Sequence, residues 1–194
     1  MGKLLLFPAK NYHKPTSCPA AMAKSDSFFI RAKVTVSGVT YAQTEIDLGS
    51  FVNLGVTKST LLRVHNVEAQ YTDNSDKSAM IYYDGGIPGG ILRWQLTTET
   101  KSALTDANDK SFVTGGAYSQ ASTTGVLVQN ADMTADQNPQ EWRNGYLIGV
   151  ESLHLGADSS ATWDSGDVDI CVVLECTLET ATQASATALA LSQQ

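Results

Sequence analysis

Histidine and cysteine are scarce: three of each occur in 194 residues. The histidines, His13, His65 and His154, are too few and too scattered for a His-rich metal site. No H-x-x-x-H, C-x-x-C or G-x-S-x-G spacing occurs, so the common zinc, redox and hydrolase signatures are missing. Cys18, Cys171 and Cys176 form no disulfide framework, and free thiols in a reducing compartment are expected. No apolar run approaches a membrane span. "LLLF" at 4–7 is too short for the core of a secretory leader and is interrupted by Pro8, so no leader is expected. No N-x-S/T acceptor for glycosylation is present.

Charge is sparse too, at 17% of residues against 42% apolar, a balance that argues for a folded core rather than disorder. The net charge of −7 excludes general attraction to nucleic acid. The charge is unevenly placed, however. Residues 1–33 hold Lys3, Lys10, Lys14, Lys24, Arg31 and Lys33 against one acid, Asp26. The rest carries seven bases against nineteen acids, a local balance of −12. After Glu179 the closing "TLETATQASATALALSQQ" has no charge, glycine, proline or aromatic residue.

What the chain does have is alternation, the pattern of strands with one buried face. In "SFFIRAKVTV" the residues Phe28, Ile30, Ala32, Val34 and Val36 share one side. In "YAQTEIDL" the inward set is Ala42, Thr44, Ile46 and Leu48. In "DVDICVVLECTLE" it is Val168, Ile170, Val172, Leu174, Cys176 and Leu178. Further strands are expected over 60–71, 78–83, 91–99, 111–118, 124–130 and 145–155. Turn clusters at 72–76, 84–90, 105–110 and 164–167 separate several of them. The alternation slips in "TLLRVHNVEAQY", which places a β-bulge near His65–Asn66. "NPQEW" at 138–142 suits a short helical turn, with Asn138 as cap and Pro139 at its first position. The fold expected is all-β, a two-sheet antiparallel sandwich of one domain.

Candidate chemistry is thin, and no catalytic residue, metal site or cofactor is assigned. His65 and His154 fall in strands and read as structural, although a small β-fold enzyme using His154 and nearby acids is an alternative. Cys171 and Cys176 lie on opposite faces of one strand; Cys176 reads as core, and Cys171 faces the acidic side. "DGGIPGG" lacks the lysine and helix of a phosphate loop. Acid-rich loops at Asp106, Asn108 and Asp109, and at Asp158, Asp164 and Asp167, have oxygen ligands for calcium without the spacing of a known loop. Trp94 is in phase with core residues. Trp142, Trp163 and Tyr82–Tyr83 suit a sugar-stacking surface, which makes a carbohydrate-binding β-sandwich (adhesin or fibre head) the alternative function.

Segments "TEIDLGSFVNLG", "TLLRVHNVEAQY" and "ILRWQLTTETKSALTDANDKSF", between a basic leading arm and a last strand "DVDICVVLECTL", resemble viral coat proteins of the single jelly-roll type. The resemblance spans the chain without a diagnostic motif. It implies an N-terminal arm at 1–26, a jelly-roll domain at 27–180 and a C-terminal tail at 181–194. It implies a structural virion protein that self-assembles into a capsid shell through subunit contacts and exchanged arms, with no enzymatic activity and no membrane partner. Lys3, Lys10, Lys14, Lys24, Arg31 and Lys33 would then face packaged nucleic acid. In the tail, Ala181, Ala184, Ala188, Leu189 and Leu191 mark one side of a short helix, expected to pack on a neighbouring subunit.

Overall fold

The computed structural model describes residues 26–55, 58–86, 89–123, 126–134 and 139–194. Nine strands occur among them: β1 (Phe28–Val36), β2 (Ala42–Asp47), β3 (Lys58–Asp73), β4 (Gly90–Thr97), β5 (Phe112–Thr123), β6 (Val126–Thr134), β7 (Tyr146–Ile148), β8 (Ser152–Ser159) and β9 (Val168–Thr182). A 3-10 turn, Pro139–Glu141, precedes β7, and one helix, α1 (Gln183–Ser192), follows β9.

The strands form two sheets, β1-β9-β3-β7 and β2-β8-β4-β5-β6. All pairings are antiparallel, and they nest: β1 with β9, β2 with β8, β3 with β7, β4 with β5. First pairs with last throughout, as when one long hairpin is rolled up, and β6 is added at the outer edge of β5. That strand order is a jelly roll.

Alternation explains the interior. Val34, Val36, Leu62, Val64, Ile148, Val168, Ile170, Val172, Leu174 and Cys176 from one sheet meet Ile46, Leu92, Trp94, Leu96, Leu153, Leu155 and Ala157 from the other. Burying each large apolar side chain contributes roughly 1.5–3 kcal/mol. The bulge expected in β3 is present, with the β3–β9 register shifting between Val64 and Asn66.

Thr44, expected to face inward in β2, is exposed, and two expected strands are not found as such. Residues 78–83 form no strand, because their polar backbone atoms are satisfied elsewhere. The Tyr82 carbonyl accepts from the Asp164 amide at 2.9 Å, and the Tyr83 amide donates to the Gln120 side chain at 2.8 Å. The stretch 145–155 is two strands rather than one, since the chain crosses between sheets at Gly149–Glu151. The turn at Pro139 is present, while Asn138 lies outside the described residues.

Segment 98–111 folds over the outer face of the β2-β8-β4-β5-β6 sheet. Gln95, 1% exposed, donates to the Ala103 carbonyl and to Tyr41 Oη and accepts from the Thr105 amide. The Lys101 amide donates to Gln43 on β2 at 2.9 Å. One outer face is thereby partly covered by the chain itself.

Candidate functional surfaces

Of the basic residues expected to face nucleic acid, Lys3, Lys10, Lys14 and Lys24 lie outside the described residues. Arg31 and Lys33 occupy outward positions on β1, where their neighbours Val34 and Val36 point into the core. Arg31 is exposed and rests over the Phe29 ring, 5.6 Å from its centroid. Lys33 is partnered: its ammonium lies 3.0 Å from Asp169, whose side chain has no solvent exposure. Thr35 and Lys77 donate to the same carboxylate, and the Asn74 amide nitrogen, in the orientation that satisfies both groups, is 3.2 Å from each of its oxygens. Burial pushes the Asp169 pKa up, but the hydrogen bonds from Lys77, Thr35 and Lys33 outweigh it and hold the group below the usual carboxylate range. Arg31 and Lys33 are adjacent in the pattern but serve different ends.

The tail makes a different helix face from the one expected. Ala181 belongs to β9, in register with Ser59 of β3, and is not helical. Thr182 caps α1, accepting from the Ser185 amide. The buried helix positions are Ala186 and Ala190, while Ala184, Ala188 and Leu191 are exposed, Leu191 at 67%. Leu189 is half-buried, and its side chain lies where a Cβ on Gly149 would come within 3.2 Å. Gln193 completes the docking. Its side chain donates to the Leu147 carbonyl at 2.7 Å and accepts from the Gly149 amide at 2.9 Å. The Thr98 hydroxyl donates to its backbone carbonyl. Within one subunit, then, Leu189, Ala190 and Gln193 lie against Leu147–Gly149 at the β7 edge, and the helix also packs on β3 and β9. Ala184, Ala188 and Leu191 remain as its outward side.

The three-part aromatic platform does not assemble. Trp163 is 3% exposed, donates to Ser159, and packs against Tyr83 and Tyr118 as core. Trp94 is core as expected, at 4%. Trp142 is half-open, tilted against Tyr146 with ring centroids 5.4 Å apart, and Tyr82 and Tyr83 are half-buried.

The remaining candidates are either buried or hydrogen-bonded. His154 is buried beside Thr100, its Nδ1 without a partner. Cys176 is fully buried, and desolvation followed by the nearby Glu175 charge pushes its thiol up to about 12, so it is inert core. Asp109 bonds the Ser111 hydroxyl and amide and then Lys101, which hold it down at about 2. Asp164 accepts from the Asp84 amide. Among the described residues no grouping of three or more metal-ligating side chains occurs.

Sequence reasoning did not assemble one cleft, which has a volume of about 490 Å³ and lies on the outer side of the β1-β9-β3-β7 sheet. Arg63, His65 and Glu179 form its floor; Trp142, Arg143 and Asn144 form its rim. The rim exists because two successive turns, Trp142 N to Pro139 O and Gly145 N to Trp142 O, lead into β7. Gly145 closes the second turn at φ 63°, a conformation suited to glycine. Arg63 grips Glu179 with two nitrogens, Nη2 at 2.7 Å, and its Nη1 donates to the Asn144 carbonyl at 2.6 Å. That hydrogen bond with Glu179 outweighs burial and raises the Arg63 pKa further. His65 Nε2 pairs with the Thr177 hydroxyl at 2.8 Å. The only signal in the sequence was the pair of outward polar residues, Arg63 and His65, flanking the bulge.

No family model matches this sequence, and no curated protein matches it. Among solved structures, the chain is similar to VP1 of Trichodysplasia spinulosa-associated polyomavirus, solved in complex with GM1 oligosaccharide. The identity is 9% over 84% of this chain and 97% of that one, with a TM-score of 0.49. New Jersey polyomavirus VP1, in its apo form, gives 6% identity over 81% and 100%, at 0.47. Desmodium yellow mottle tymovirus gives 8% over 89% and 97%, at 0.34. At such scores the jelly-roll assignment stands on the strand order itself.

Proposed function

We propose that the chain is a structural virion protein that self-assembles into a closed shell and performs no catalysis. The nested strand order carries this reading. It is the architecture of capsid and lectin domains, and the burial of Trp163 takes one ring out of the expected stacking surface. The partner is the chain itself, with many weak contacts summed under closed symmetry. Terminal segments make exchanged contacts: the basic arm 1–26 on one side, and the outward Ala184, Ala188 and Leu191 of α1 on the other. Packaged nucleic acid meets the basic end, at Lys3, Lys10, Lys14, Lys24 and Arg31, with Lys33 supporting that surface through Asp169. No helix among the described residues is long and apolar enough to cross a membrane.

Sedimentation and negative-stain imaging of the purified chain test the proposal. Closed particles are expected, and a monomer persisting at high concentration with both termini intact overturns it. Replacing Ala184 and Ala188 by glutamate and Leu191 by serine is expected to abolish particles while leaving the melting temperature within a few degrees.

A further inference from the structure

We propose that the cleft above Arg63 and Glu179 binds one nucleotide unit of a single-stranded nucleic acid, with the phosphate on Arg143 and the base against Trp142. The inference deepens the shell reading and rests on it for which polyanion is at hand.

The polar atoms left unspent in the cleft are mostly donors. Glu179 is gripped by Arg63, and His65 Nε2 is taken by Thr177, so the main acceptor and one ring nitrogen are already in use. Arg63 spends three of its five N–H groups, on Glu179 and Asn144, and keeps two. Arg143 is exposed and, among the described residues, no ion pair holds it. A donor-rich cleft selects an anion, and an arginine fork matches a phosphate bidentately.

Beside these donors stands Trp142, half-buried and braced by Tyr146, so its ring is held in place before anything binds. Bases stack on such rings with little sequence preference. The volume of about 490 Å³ falls in the range of small-ligand sites. Saccharide hydroxyls need acceptors as well as donors, and the chief carboxylate here already accepts two hydrogen bonds from Arg63.

Position agrees with chemistry. Phe28, the first residue of β1, and Val64 of β3 both pair with Cys176 of β9, one from each side. The chain therefore begins β1 at the level of Arg63 and His65 in this sheet.

The test uses the full chain, unassembled, titrated with a short oligothymidylate while tryptophan fluorescence is read. Trp94 and Trp163 are buried, so quenching reports Trp142. Saturable quenching that weakens with salt is expected. Oligothymidylate affinity, followed by anisotropy of a labelled strand, should fall about tenfold or more in Arg143→Ala and Trp142→Ala. Arg143→Lys and Trp142→Phe should retain part of it, and Arg93→Ala, on the other sheet, should retain all. Unchanged affinity in both alanine variants overturns the proposal. So does saturable quenching by 3′-sialyllactose with none by the oligonucleotide. Sedimentation keeps the two readings apart: a protein that binds through Arg143 and Trp142 but never forms particles sinks the shell and leaves the cleft.

Discussion

Asp169 has no exposed side-chain surface, yet four groups from β1 and the turn after β3 converge on it and keep it ionised. Asp109, at the far end of the other sheet, is held at about 2 by Ser111 and Lys101. Both folded-state values lie below the unfolded one, so both groups contribute stability that is complete at neutral pH. It is lost as the solution is acidified from about pH 4 towards pH 2. Urea midpoints are expected to be level from neutrality to mild acid and then to fall, with Asp109→Asn flattening the acid limb. A midpoint as high in strong acid as at neutrality contradicts this. Gly145 is the other sensitive position. A Cβ there would sit 2.2 Å from the Val64 carbonyl oxygen, at φ 63°. Gly145→Ala is expected to destabilise by at least ~2 kcal/mol in chemical denaturation, since both the backbone strain and the clash fall on fixed atoms.

At the scale of elements, the free edge of β7 is the weak point of its sheet, because an unpaired strand edge is a template for association. Gln193 meets it by presenting one side-chain amide to Leu147 O and Gly149 N, as a neighbouring strand would. Gln193→Ala leaves both backbone groups unpartnered, at an expected cost of about 1–3 kcal/mol. Hydrogen exchange should show the Gly149 amide losing protection while the Val172 amide, in β9 between β1 and β3, keeps its own. Equal loss at both sites would mean that the tail supports the whole sheet rather than its edge. The helix that brings Gln193 there has no charge in its first or last turn, so its position depends on packing and on the Thr182 cap.

For the whole molecule, the outer surfaces of the two sheets differ. The β1-β9-β3-β7 sheet carries Arg31, the Lys33–Asp169 cluster, the Arg63 cleft and the exposed Arg143, with Glu68 and Glu175 among them. The opposite sheet presents Glu45, Asp47 and Asp158, with Arg93 in register with Asp158, and is partly covered by segment 98–111. Removing residues 1–26 is therefore expected to leave the thermal midpoint within a few degrees while weakening nucleic-acid retention, measured by the absorbance ratio of purified particles. An unfolded truncation product would show that the segment belongs to the core instead.

The sequence alone determined which residues face inward, because alternation along a strand is a local property of an extended backbone. Val168 to Leu178 display it without interruption, and the slip at His65–Asn66 announced the bulge before any partner strand was known. It determined the polarised charge and the uncharged tail equally directly. Tertiary structure decided what depends on residues far apart in the chain. Tyr82 and Tyr83 have strand-like sequence, yet their backbone is claimed by Asp164 and Gln120. The side of α1 that docks was settled by the β7 edge, whose open carbonyl and amide lie where Gln193 reaches them. The cleft gathers residues 63, 65, 142, 143, 144 and 179 only after β3, β7 and β9 have paired. Local periodicity carries no information about which strand will be the neighbour. That choice is made by burial of the whole interior at once.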